Sequence, residues 1–166
     1  MSQRIGHGTD IHRLVDGRQL LLGGVEIAGP KGLLGHSDGD VVLHAIADAI
    51  LGALGADDIG EHFPDTDQQY TGIASAKLLE EVVARMRQEG WQIVNVDVTI
   101  SAEAPRLAPY RHAIRTAVAG LLGTGTSRVN IKAKTNEGLD AVGRGEAISA
   151  TALVLLSQEL APERRT

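Results

Sequence analysis

Val94-Asn95-Val96-Asp97-Val98-Thr99-Ile100-Ser101 alternates apolar and polar residues without a break. Successive strand residues point to opposite faces, so this stretch writes a strand with one apolar and one polar face. Helical spacing flanks it on both sides. Upstream, Ala76, Leu79, Val83 and Met86 recur three and four apart over residues 75–88, and Gly90 follows as a stop. Downstream, Ile114, Ala117, Val118, Leu121 and Leu122 mark a helix that starts near Pro109. Val129-Asn130-Ile131-Lys132-Ala133-Lys134 then returns to the strand period, and a last strand spans 147–156.

The N-terminal part completes the order. Residues 4–12 read as a short strand. Leu20 to Ile27 reads as two short extended pieces bent at Gly23 and Gly24. A helix follows from Ser37, with Ser37 or Asp38 as its cap. Its apolar face is Val41, Val42, Ala45, Ile46, Ala49, Ile50, Ala53 and Leu54, and Gly55 ends it. Residues 56–72 are polar and turn-rich. Strands, helix, helix, strand, helix, strand, strand imply an α+β fold with helices packed on one face of a sheet. No helix is left for the polar face of that sheet, so a partner subunit is expected to cover part of it. One domain over 1–166 accommodates these elements, with a frayed tail at 158–166.

Composition narrows the chemistry. The chain has 166 residues, 43% hydrophobic and 22% charged, which is ordinary for a globular domain. A formal charge of -5 argues against nucleic-acid binding, which needs a basic stripe. There is no cysteine, so a metal can be held only by His, Asp or Glu. No apolar run approaches the roughly 18 residues of a membrane span, and no signal segment precedes the first strand. A cytoplasmic protein is expected.

Asp10 and His12, two apart on a strand, point to one face and can reach one ion. His44, on the following helix, would supply a third ligand and leave a fourth position open to substrate. Otherwise Asp10 is a surface carboxylate beside a His12 packed on the sheet edge, and His44 is a solvated helix residue. Asp40 and Asp48 lie one turn either side of His44, where a carboxylate can orient its second ring nitrogen. The alternative for both is ordinary helix solvation, with a favourable first-turn dipole contact for Asp40. His36-Ser37, at a helix start, suits a phosphate contact; Ser37 as a simple cap explains the same residues. Asp57, Asp58, Asp65 and Asp67 sit in two acidic turns, as hydroxyl or cation ligands or as turn formers. Lys132, Lys134, Thr135 and Glu137 cluster at a strand end before Gly143-Arg144-Gly145-Glu146. That set suits a metal-bound diphosphate, or else an exposed loop.

Taken together, these segments resemble the 2-C-methyl-D-erythritol 2,4-cyclodiphosphate synthase family. The motifs that carry the resemblance are Arg4-Ile5-Gly6-His7-Gly8 with Asp10-x-His12, Lys31-Gly32-Leu33-Leu34-Gly35-His36-Ser37-Asp38-Gly39-Asp40, and Asp58-Ile59-Gly60-x-x-Phe63-Pro64-Asp65-Thr66-Asp67. Asn95 to Ile100 and Gly143 to Glu146 complete them, and the likeness spans about residues 4–157. Thr9, Ala141, Lys134 and Arg106 depart from the family pattern.

The resemblance implies a homotrimer with sheets facing the threefold axis and active sites between subunits. It implies Zn2+, or another divalent ion, on Asp10, His12 and His44. A second ion, Mg2+ or Mn2+, would sit on the substrate diphosphate with Glu137 as its protein ligand. His36 and Thr135 would stabilise the transition state. Asp58, Gly60, Phe63, Asp65 and Asp67 would hold the methylerythritol part, and Ser37, Lys134 and Arg144 would contact substrate. Ala102, Pro105, Arg106 and Leu107 would line a cytidine pocket supplied by the adjacent subunit. Arg144 and Glu146 would face an axial cavity able to take an isoprenoid diphosphate. The implied reaction turns 4-diphosphocytidyl-2-C-methyl-D-erythritol 2-phosphate into the cyclic diphosphate plus CMP. Two rivals stand beside it: a phosphohydrolase using zinc-bound water, and a trimeric sensor of isoprenoid diphosphates.

Overall fold

The structure is a computed structural model and describes residues 1–64, 67, 70 and 72–159. Asp65 and the tail from 160 onward, both addressed by the sequence reading, lie outside the described residues.

The alternating stretch is the strand β5, Gln92–Ser101, within a five-stranded sheet. The others are β1 (Ser2–Asp16), β4 (Lys31–Leu33), β6 (Val129–Lys134) and β7 (Ala147–Gln158), in the order β4-β1-β7-β5-β6. β5 and β6 pair in parallel, and the remaining pairs are antiparallel. Register slips between Ile93 and Asn95, which leaves Val94 half-buried at the bulge. β2 (Leu20–Leu22) and β3 (Val25–Ile27) form a separate hairpin. Its turn residues Gly23 and Gly24 have φ of 61° and 77°, the left-handed region a tight two-residue turn requires.

Three helices of 12–14 residues pack on the sheet: α1 (Val41–Leu54), α3 (Ser75–Gln88) and α4 (Arg111–Leu122). Two single-turn helices, α2 (Ile59–His62) and α5 (Asp140–Gly143), sit in loops. α1 lies on β1 and β7 and is backed by α3, so Leu43, Ala47 and Leu51, outside the expected apolar face, are buried as well. The sheet face toward these helices carries Val96, Val98, Ile100, Ile148, Val154 and Leu156, all buried. The opposite face keeps Ile5 at 73% exposure and Ile11 at 57%. This is a mixed α+β architecture. Among the described residues no helix is long and apolar enough to cross a membrane.

The structure corrects the start of α1. The helix begins at Val41, and its cap is Asp40, whose carboxylate takes the amides of Val42 and Leu43. Ser37 and Asp38 belong to the loop before it. β1 extends past both ends of the expected strand because β7 pairs with it from Ser2 to Arg13. β4, three residues with a central glycine, has no legible period, and β1 recruits it at Leu14–Asp16.

Gly6 and Gly8 set the distance between β1 and α1. A Cβ on Gly8 would stand 2.1 Å from the Ala45 carbonyl oxygen, and one on Gly6 1.7 Å from that of Ala49. Backbone cannot yield as a side-chain tip does. Gly8→Ala should therefore cost about 2–3 kcal/mol, a melting point lower by roughly 5–10 °C. A thermal melt checks this, and an unchanged midpoint would refute the close-packing argument.

Candidate metal centre

The tight β1–α1 packing brings three donor side chains together. Asp10 and His12 project from the face of β1 that carries Gly6 and Gly8, and His44 precedes Ala45 on α1. Asp10 Oδ2 lies 2.9 Å from His44 Nδ1 and 3.0 Å from His12 Nε2. The two imidazole nitrogens are 3.3 Å apart. Ligands about 2.0–2.1 Å from a tetrahedral zinc ion lie roughly 3.3 Å from one another, so the spacing fits such an ion. Among the described residues this is the one group of three or more His, Cys, Asp or Glu with metal-binding spacing.

Charge is arranged to match. Burial pushes the Asp10 carboxyl up, but hydrogen bonds to His12 and His44 outweigh it and hold the group well below the usual carboxylate range. The Asp10 carboxylate in turn raises His12 above its ordinary value, helped by a backbone hydrogen bond at Leu34. A metal ion entering here meets a carboxylate already ionised and must displace protons from imidazole.

The cluster opens into a cavity of about 630 Å³, whose lining includes His36, Ser37, Asp48, Gly60 and Phe63. Each is a residue the sequence reading singled out. Tyr70, which that reading passed over, also lines it and meets Phe63 edge-on at 5.3 Å between ring centres. Asp58 is exposed, caps α2 and accepts the Glu61 amide at 3.0 Å. Asp67 donates its amide to the Pro64 carbonyl at 3.0 Å.

Two expected roles change. Asp40 does not orient His44. It is fully buried, and besides the amides of Val42 and Leu43 its oxygens accept those of Gly23 at 2.8 Å and Gly24 at 2.7 Å. One carboxylate thus caps α1 and ties down the β2–β3 turn. Asp48 lines the cavity, and its Oδ1 accepts the Ile59 amide at 2.8 Å. The second ring nitrogen of His44 instead meets hydroxyls: Ser75 Oγ at 2.8 Å and Ser37 Oγ at 3.1 Å. Ser75 had been read only as the first residue of a helix. The helix start expected at His36-Ser37 is not there, because α1 begins four residues after Ser37 and Asp40 occupies its first amides; His36 and Ser37 stand in the loop that lines the cavity.

The second candidate group is separate. Thr135 Oγ1 donates to Glu137 Oε1 at 3.2 Å in the exposed loop after β6. Glu137 sits at φ 53°, a left-handed conformation that strains a residue with a Cβ. Ala102 donates its amide to the Lys134 carbonyl at 2.9 Å and Glu103 accepts the Asn136 amide at 3.3 Å, so the start of the segment that goes on to Pro105, Arg106 and Leu107 meets this loop. Arg144 pairs with Glu146 at 2.9 Å, both exposed. None of these residues lines the cavity of the cluster. Asp10 pairs across β7 and β5 with the row of Ile100 and Ala133. Three strand spacings put that row roughly 14 Å away. Within one chain the two groups stand apart.

The YgbB family profile matches residues 3–157. A 2-C-methyl-D-erythritol 2,4-cyclodiphosphate synthase of Trichlorobacter lovleyi is 57% identical over 153 residues, 92% of this chain and 98% of that protein. The bifunctional IspDF of Campylobacter jejuni superposes with a TM-score of 0.91 at 38% identity. It matches 95% of this chain, which spans 43% of that longer protein. A CDP-bound structure of a 2C-methyl-D-erythritol-2,4-cyclodiphosphate synthase gives a TM-score of 0.86 at 39% identity, covering 93% of this chain and all of that one.

Proposed function

This chain belongs to the YgbB family, and from that membership we propose that it is a phosphorus-oxygen lyase, converting 4-diphosphocytidyl-2-C-methyl-D-erythritol 2-phosphate into 2-C-methyl-D-erythritol 2,4-cyclodiphosphate and CMP. The observation that carries the reading is the Asp10, His12 and His44 cluster opening on a cavity large enough for a sugar diphosphate. The reaction serves non-mevalonate isoprenoid precursor synthesis, and the cytoplasm is its place.

The chemistry asks little of the protein in covalent terms. The nucleophile is the substrate's own 2-phosphate, which is already anionic, so no side chain needs to act as nucleophile or strong base. An oxygen of that phosphate bonds to the phosphorus bearing the methylerythritol, and the bond from that phosphorus to the bridging oxygen breaks. CMP leaves with the electron pair. Asp10, His12 and His44 would hold Zn2+, and Glu137 would be the protein ligand of Mg2+ or Mn2+. Such ions neutralise phosphate charge and polarise the phosphoryl group. His36 and Thr135 supply hydrogen bonds to oxygens that gain charge. Gly60, Phe63, Asp58, Asp65 and Asp67 seat the methylerythritol, while Ser37, Lys134 and Arg144 add polar contacts to substrate. Ala102, Pro105, Arg106 and Leu107 receive the cytidine. Folding one polyanion onto itself in line is the main task, and an intramolecular attack gains most from such positioning.

The separation of the two groups within one chain is bridged in a homotrimer, where the Thr135 and Glu137 loop of one subunit meets the metal cluster of the next. The exposed Ile5, Ile11 and Leu153 on the bare sheet face favour that assembly, with sheets toward the threefold axis. Arg144 and Glu146 would then face an axial cavity that accepts an isoprenoid diphosphate. The whole chain serves as one synthase domain.

Incubating the purified chain with the cytidyl substrate, Zn2+ and Mg2+ should release CMP and cyclic product together. Folded, metal-loaded trimer that makes no cyclic product would defeat the proposal. Glu137→Gln should raise the Mg2+ concentration needed for half-maximal turnover by about tenfold. Zinc content should stay unchanged. An unaltered Mg2+ response would remove Glu137 from the second ion.

A further inference from the structure

The His44 ring faces two ways, and which nitrogen carries its proton decides whether Nδ1 has a lone pair to give. The contacts on the Nε2 side bear on this by proton counting, since the Nδ1 proton accepted by the ionised Asp10 is the one an entering ion displaces. Asp38 Oδ2 accepts the Ser75 backbone amide at 3.1 Å, and Asp38 Oδ1 accepts the Ser75 hydroxyl. A carboxylate only accepts, so the Ser75 hydrogen points to Asp38. Ser75 Oγ then presents only lone pairs to His44 Nε2, 2.8 Å away. Ser37 Oγ accepts the Gly39 amide at 3.1 Å and can direct its own hydrogen to Ser75 Oγ at 3.3 Å. In that orientation Ser37 Oγ too presents a lone pair to His44 Nε2, 3.1 Å away. Ser75 is 1% exposed, so water does not compete for its hydroxyl.

We infer that Asp38 and Ser75 are positioning residues that hold His44 with its proton on Nε2, leaving Nδ1 to join Asp10 and His12 on the metal. The inference rests on the metal reading of the site and adds to it the group that orients the third ligand. Ligating histidines commonly donate their other N–H to a carboxylate or carbonyl. Here the carboxylate acts through a serine hydroxyl thirty-seven residues along the chain from it. The same carboxylate serves α3, whose local cap residue, Ala74, has no side-chain acceptor.

Two variants separate this role from capping. Ser75→Ala removes the hydroxyl and leaves the amide contact to Asp38. Asp38→Asn keeps an oxygen for the Ser75 amide but turns an NH2 toward the Ser75 hydroxyl. The hydroxyl is then released to donate to His44 Nε2, which favours the proton on Nδ1, the metal-facing nitrogen. Zinc affinity, measured by competition with a chromophoric chelator, should fall about tenfold in Ser75→Ala and by 10–100-fold in Asp38→Asn. In the zinc-loaded unsubstituted protein, the proton NMR spectrum should show a slowly exchanging His44 Nε2–H resonance that Ser75→Ala loses. Unchanged zinc affinity in folded Ser75→Ala overturns the inference, whether or not Asp38→Asn folds. If the unsubstituted chain binds no zinc at this cluster, the metal reading and the inference fall together.

Discussion

His44→Ala should lose stoichiometric zinc and lower turnover on the order of 10³-fold while the chain stays folded. The activity figure follows from removing several kcal/mol of charge stabilisation, at about 1.4 kcal/mol for each factor of ten. Folding survives because the neighbours of His44 keep partners. Ser75 still donates to Asp38, Ser37 still accepts the Gly39 amide, and Asp10 retains His12 at 3.0 Å. The loss in stability should stay within about 1–2 kcal/mol. Metal analysis of purified variant together with a thermal melt checks both parts. A variant that keeps one zinc per chain would remove His44 from the ligand set.

Asp40→Ala should act in the opposite sense, with the fold as its main casualty. Its carboxylate is the shared acceptor for four backbone amides from two separate elements. Losing a helix cap costs about 1 kcal/mol. Leaving the Gly23 and Gly24 amides without an acceptor adds about 1–3 kcal/mol each, more than a surface change would. Burial pushes the Asp40 carboxyl up while the amides pull it down, so part of the gain from these bonds offsets desolvation. A net loss of about 3–5 kcal/mol is expected, a large share of a typical domain's stability. Urea unfolding would register it as a lower midpoint with an unchanged slope. A loss below about 1 kcal/mol would show that water replaces the carboxylate. Asp40→Asn should fall between, since its NH2 would face the Gly23 or Gly24 amide donor to donor.

These two residues also mark how far the sequence could be read. His44 was legible as a candidate because Asp10 and His12 share one strand face and the family resemblance supplies a third ligand, whereas the Gly6 and Gly8 packing that brings α1 onto β1 was not. Asp40 was not, because half its partners lie 16 and 17 residues upstream in a hairpin. Local rules offered it only solvation, a dipole contact or a turn of helix toward His44. Ser75 failed for the same reason, with Asp38 at a separation of 37 residues. The period-2 stretch at β5 and the apolar face of α1 were legible because each pattern is complete within one element. β4 was missed because three residues around Gly32 show no period. Its glycine is required by packing, since a Cβ there would stand 2.2 Å from the Gln19 carbonyl oxygen. The separation of the metal cluster from the Thr135 and Glu137 loop was hidden until strand order put two strands between β1 and β6.

In the proposed reaction the substrate's own phosphate attacks, the Asp10, His12 and His44 cluster is arranged to hold an ion, and water takes no part in the attack. Turnover in water enriched in oxygen-18, read by phosphorus NMR, separates this from hydrolysis. The expected result is cyclic diphosphate and CMP in equal amounts, neither carrying oxygen from solvent. Heavy oxygen in either product, or release of inorganic phosphate, would contradict the account and favour a metal-dependent phosphohydrolase.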